Sequence, residues 1–192
     1  MRLVLIALTA MLSLRPALAG SDRGAVALLP TVNTSGEKWE ELRARQNAKV
    51  DEWVRTHVAA AGYRLIPAEE VAAAVSGLKL DMKEEENWAT ATLAEVGRKC
   101  GAAYVLFCAI TFTEQKEQNR LWFKDKEGRT DVRVWLVDVG AAKAPVAGKT
   151  FVGRSGGNRI SLDNKGSERQ IQAAANAVRD ATRSFLAPYK AK

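Results

Sequence analysis

AYVLFCAITF, residues 103–112, decides the fold. Its aromatic and branched side chains fall on both of the faces that a strand alternates between, so it reads as a strand buried on both sides, at the centre of a sheet. Upstream, Trp88 to Lys99 carries helical spacing and ends at Gly101, with Asn87 as the expected cap. Downstream, residues 114–131 are strongly polar and interrupted by Leu121-Trp122-Phe123, read as a short strand of its own. Val132 to Val139 is the next strand, Gly140 to Ala147 a turn region, Lys149 to Val152 a further strand, and GRSGGN a surface loop.

Working outward to the amino-terminal side, Ala25 to Pro30 is a short apolar strand, Thr31 to Gly36 a turn-rich loop, and Tyr63 to Ile66 another strand. Between them Trp39, Leu42, Gln46, Val50, Trp53, Val54, His57, Val58 and Ala61 recur at spacings of three and four, which predicts a long amphipathic helix closed by Gly62. Pro67 opens a second helix with Glu69 and Glu70 in its first turn. Ser167 is placed as the cap of the last helix, whose apolar face holds Ile171, Ala175, Val178, Thr182, Phe185 and Leu186, with Pro188 beyond it. Strands joined by helices in the first half imply parallel pairing; consecutive strands in the second imply hairpins. The expected fold is α/β, with α+β character in its second half: a single mixed sheet with helices packed on it.

Residues 1–19 read as an export signal. Arg2 supplies the positive end, Leu3 to Leu14 an apolar run too short to span a bilayer, and Ala17-Leu18-Ala19 the small residues of a cleavage site between Ala19 and Gly20. Residues 20–192 then form one domain. Ser21 follows Leu18-Ala19-Gly20 where a lipid-anchored protein would need a cysteine, so the expectation is a periplasmic or secreted protein without a lipid anchor or a membrane span. Without Arg2 and Arg15 the formal charge falls from +7 to +5, a mild excess suited to anionic envelope polymers. Export and the lack of an aromatic-basic recognition motif argue against nucleic acid.

Several of these stretches together resemble a broad group of bacterial envelope domains: the amino-terminal domain of TolB, the outer-membrane activators of penicillin-binding proteins, and CsgG-like domains. The resemblance lies in Leu29-Pro30-Thr31-Val32-Asn33-Thr34-Ser35, Arg64-Leu65-Ile66-Pro67, Gly101-Ala102-Ala103-Tyr104-Val105-Leu106 and Leu136-Val137-Asp138-Val139, and covers most of residues 24–187. It implies a non-enzymatic module that docks on other envelope proteins or assembles. The chain departs from the group in having Gly140-Ala141-Ala142 after the last of these motifs, where Thr-Gly is usual.

The chemistry-bearing residues agree with that expectation. Two cysteines and one histidine exclude a multi-cysteine metal centre and any site of two imidazoles. Gly148-Lys149-Thr150 resembles the end of a phosphate loop, but Lys143 stands where its first glycine belongs. Cys100 and Cys108, joined through a turn into an extended strand, are expected ~20 Å or more apart, beyond the roughly 7 Å that a disulfide spans. His57 is read at the edge of the core, Glu84-Glu85-Glu86 as a solvated run, and Asp138 as a turn residue. No catalytic residue, cofactor or metal is assigned. The candidate interface lies on the 114–131 stretch, read as a hairpin: Arg120, Leu121, Trp122, Phe123 and Lys124, an aromatic anchor set among basic groups. The alternative function is a carboxylate-dependent hydrolase of envelope polymers, which requires a concave pocket holding two carboxylates about 5–10 Å apart.

Overall fold

Strand β1 (Ala25–Leu28) is buried at every position. It lies inside a sheet seen in a computed structural model, in which residues 23–120, 123–156 and 166–186 are described. The elements that follow are β2 (Val32–Asn33), α1 (Glu40–Ala60), β3 (Arg64–Leu65), α2 (Ala68–Gly77), a 3-10 turn (Glu85–Trp88), α3 (Thr90–Lys99), β4 (Tyr104–Arg120), β5 (Phe123–Asp138), β6 (Lys143–Ser155) and α4 (Gly166–Leu186). The sheet order is β3-β1-β4-β5-β6, with β2 beside β4. β1 runs parallel to β3 and β4, and β2 parallel to β4. β5 runs antiparallel to both β4 and β6. This is the expected α/β fold: four helices on one mixed sheet, with the 103–112 run at its centre.

Alternation along the strands sends side chains into two separate cores. Val105, Phe107, Ala109, Trp135 and Val137 meet α2, the 3-10 turn and α3 through Val71, Ala74, Trp88, Leu93 and Val96. Leu106, Cys108, Ile110, Val132 and Val134 meet α1 and α4 through Val50, Val54, Val58, Ala177 and Val178. The first core centres on three rings: Phe107 stands 5.5 Å from Trp88 and 5.3 Å from Trp135. Arg133 covers the edge of this trio, its guanidinium 5.0 Å from the Trp135 centroid and 5.8 Å from that of Trp88, with Glu85 Oε2 at 3.6 Å.

Helix α4 lies against the sheet with almost no side chain between them. Ala173, Ala174, Ala177 and Ala181 are fully buried on its inner face, and glycines stand beneath it. A Cβ on Gly128 would come within 2.6 Å of the Arg169 carbonyl, and one on Gly153 would overlap the Ala173 carbonyl oxygen. Backbone-level contact of this kind is possible only where neither side contributes bulk.

The elements differ from expectation where local sequence is ambiguous. The 114–131 stretch is the expected hairpin; the short strand read at 121–123 falls in part on Leu121 and Trp122, outside the described residues. Its described residues are the outer halves of β4 and β5, with Phe123 the first residue of β5. Polar residues suffice here because cross-strand hydrogen bonds, not burial, hold a two-stranded ribbon together. The loop at 31–36 contains β2, and β6 takes in residues placed in the preceding turn and the following loop. Asn87 falls within the 3-10 turn; Ala89 precedes α3. Ser167 lies inside α4, which begins at Gly166. Trp39, on the apolar stripe by spacing, is 72% exposed at the start of α1. Gly62 does end α1, at φ +84°.

Candidate functional site

The β4–β5 ribbon is the element that carries the candidate interface. Its pairing is unbroken from Phe112 opposite Asp131 to Arg120 opposite Phe123, after a bulge between Ile110 and Phe112. The backbone places Asn119 opposite Lys124, so Arg120, Phe123 and Lys124 sit at the ribbon's end. Leu121 and Trp122 lie outside the described residues.

One face of the ribbon is covered and the other is bare. On the α4 side Thr130 is fully buried and its Oγ1 donates to the Gln170 carbonyl at 3.1 Å. On the opposite side the α2–α3 core reaches Ala109 and Trp135 and stops. The next row outward consists of Phe112, Asp131 and Val152, which are register partners across three strands. Phe112 is 38% and Val152 44% exposed. Arg129 holds Asp131 through Nε and Nη2 at 3.0 and 2.9 Å and stacks over Phe112 at 5.2 Å. Sequence reading passed over this row. Its signal was the period-two run Arg129-Asp131-Arg133 alternating with Gly128, Thr130 and Val132, which describes a strand with one charged face.

The place where an open α/β sheet ordinarily takes a ligand is filled by the chain itself. From β1 the chain crosses on the α1 side to β3, then returns on the α2–α3 side to β4, so the connections diverge between β1 and β4. Ligands of such sheets bind beyond the carboxyl ends of the strands at that point. Here Val32 and Asn33 pair with Ala109 and Ile110, and Thr34 N–H donates to the Ile110 carbonyl at 2.8 Å. The start of α1, where a phosphate would seat, faces an acidic group instead: Glu37 Oε1 accepts from Trp39 N–H at 3.1 Å.

A relay of hydrogen bonds fixes this plug. Asn33 Nδ2 donates to Gln46 Oε1 at 3.0 Å, and Gln46 Nε2 donates to Thr113 Oγ1 at 3.0 Å. Thr113 and Thr130 hydroxyls stand 3.4 Å apart. Because Thr130 donates to Gln170, Thr113 donates to Thr130, and each hydroxyl gives one proton and accepts one bond. The relay ties β2, α1, β4, β5 and α4 together through Gln46, which is fully buried.

The remaining reactive groups hold structural positions. Cys100 and Cys108 are free thiols; full burial pushes the Cys108 thiol well above its ordinary value, the reverse of what a nucleophile needs. His57 is half-buried, stacked on Trp53 at 5.1 Å, with Nδ1 2.7 Å from the Trp53 carbonyl. Asp138 Oδ1 accepts from Ala141 N–H at 2.9 Å, the turn role expected of it. A cleft of about 350 Å³ between α1 and α4 is lined by Glu52 and Glu168, but both carboxylates are exposed and held in ion pairs with Lys49 and Arg45. Nothing there desolvates one acid relative to the other, as paired acid and base roles require.

Asp51 has a displaced titration. Burial raises it above its ordinary value of 3.8, against the bonds from the Thr31 hydroxyl and amide and the charge of Arg55. The native form therefore holds this proton more tightly than the unfolded chain. Stability is lost as pH rises from 3.8 through the raised folded value. Asp51→Asn keeps an Oδ1 that can accept both Thr31 donors and removes the charge. Urea denaturation across this interval should show the variant gaining on the wild type as pH rises.

No family model matches the chain, and no curated protein matches it in sequence. Among solved structures, lipoprotein GNA1162 from Neisseria meningitidis superposes with a TM-score of 0.50 at 15% identity, over 81% of this chain and 98% of that one. The hypothetical protein CT253 from Chlamydia trachomatis gives 0.47 at 18% identity, over 86% and 94%. The LpoB carboxy-terminal domain from Salmonella enterica gives 0.44 at 14%, over 68% and 81%. The GNA1162 likeness shows a shared fold. Among the described residues no helix is long and apolar enough to cross a membrane.

Proposed function

We propose that this chain is an exported, non-catalytic binding or assembly module of a bacterial envelope. It grips an envelope protein, or an anionic envelope polymer, through Arg120, Leu121, Trp122, Phe123 and Lys124 at the end of the β4–β5 ribbon. The observation that carries the reading is the ribbon's regularity. β4 and β5 remain in continuous register out to Arg120–Phe123, well past the last row that the α2–α3 core covers. In this reading a partner reaches the ribbon at its end, past that row. The fold shared with a protein named as a lipoprotein supports an envelope setting, and residues 1–19 support export.

The test immobilises the purified protein and measures retention of detergent-solubilised envelope proteins and of isolated peptidoglycan sacculi. Trp122→Ala should reduce retention of one of the two by about tenfold or more, the size of an interface anchor. Equal retention by wild type and variant, or none by either, overturns the assignment.

A further inference from the structure

Strand β2 stops opposite Ile110. Above that point β4 runs on to Arg120 with β5 on one side and, among the described residues, no strand on the other. The stretch from Thr111 to Arg120 therefore has no strand on that side among the described residues, with Gln115 near its middle. Edges normally carry something that prevents pairing. At the far side of the sheet β6 has Pro145 and Gly148 at φ +62°. The outer part of β4, TFTEQKEQNR, has neither proline nor glycine.

We propose that this edge pairs antiparallel with the same edge of a second copy of the chain, about a two-fold axis at Gln115. Two independent features select that register. The first is length: with Gln115 opposite Gln115, residues 111–119 of the two copies face one another. The incoming strand thus fills the edge up to Thr111 and stops short of Ile110, which Asn33 already pairs. The second is charge. Glu114 and Lys116 share the bare face, opposite Arg129 and Glu127 respectively. Centring on Gln115 sets Glu114 of each copy against Lys116 of the other, twice over. The pleat permits only shifts that keep side chains on their own face, and the neighbouring permitted registers set Glu114 against Glu114 or Lys116 against Lys116. Within one chain Lys116 Nζ lies 3.3 Å from Glu114 Oε2, with 61% and 34% of the two side chains exposed, so both can turn toward a partner. The result is one sheet continuous through two molecules, with the bare faces joined side by side.

This inference does not rest on the partner assigned to the ribbon's end, and its test uses the purified protein alone. Sedimentation velocity over a wide concentration range should show a reversible dimer. Lys116→Glu replaces two attractive cross-strand pairs by two repulsive ones and should weaken the dimer by about tenfold or more. The exchange E114K/K116E restores both pairs and should restore wild-type association, which a loss of folding could not do. In a Cys100→Ser background, Gln115→Cys should cross-link two copies under mild oxidation, since paired strands hold opposite α-carbons about 4.5–5.5 Å apart; Glu114→Cys should not. A monomer at every concentration overturns the proposal. So does a dimer that Lys116→Glu leaves intact and Gln115→Cys does not cross-link.

Discussion

Gly153→Val is expected to destabilise the protein by about 3 kcal/mol or more, a cost at or above the upper end of ordinary overpacking. A Cβ at this position overlaps the Ala173 carbonyl oxygen and comes within 2.6 Å of the Ala177 amide nitrogen. Those are backbone atoms of a helix and cannot rotate away. Helix α4 would have to lift from β6, which would also pull on the bond from Asn176 Nδ2 to the Arg154 carbonyl at 2.8 Å. For a chain of this size the penalty corresponds to a fall in melting temperature of roughly 10 °C. The neighbouring substitution Val152→Thr supplies the control. Val152 is 44% exposed on the opposite face, so its change should stay within about 0.5 kcal/mol. Thermal denaturation followed by circular dichroism measures both, and equal effects at 152 and 153 would contradict the helix-on-backbone packing.

Phe107→Ala should cost about 3–5 kcal/mol, the range for truncating a buried aromatic. Phe107 is fully buried and stands between two indoles that also touch each other, with Trp88 and Trp135 centroids 5.2 Å apart. Neither ring can collapse into the space left. Trp88 is held by its Nε1–H bond to the Met82 carbonyl at 2.8 Å, and Trp135 is pressed by Gly148, where even a Cβ would stand 3.0 Å from the ring. Because both indoles lose a packed neighbour, the near-ultraviolet dichroism of the folded variant should fall along with its stability. Loss of stability with an unchanged aromatic signal would mean that the trio is not a rigid unit.

The parts of the fold that were legible in sequence are those where burial imposes a pattern. The 103–112 run announced a central strand because a strand covered on both faces carries apolar residues on each of them, as this run does at all but Thr111. Gly62 and Pro67 marked a helix end and a helix start through backbone rules that no tertiary contact overrides. What escaped notice follows a different logic. The outer halves of β4 and β5 are polar, so the hairpin at 114–131 could be expected but not the length of the strands that form it. β2 is too short to show a period. The Asn33–Gln46–Thr113–Thr130 relay joins residues far apart in sequence, each unremarkable alone. Trp39 kept its place on the apolar stripe, but α1 begins beyond the edge of the core it was expected to cover. At the candidate interface, the hairpin that carries Arg120, Phe123 and Lys124 was expected from sequence; its residue-by-residue register is what a single sequence does not display.

The late position of α4 has a consequence for how the chain must fold. The apolar face formed by Leu106, Cys108, Ile110, Val132 and Val134 is completed by a helix whose first residue is Gly166. Until Gly166 to Leu186 are available, α1 alone covers that side of the sheet, through Val50, Val54 and Val58. A growing polypeptide would therefore leave the part of that face under α4 exposed until residues 166–186 had been made.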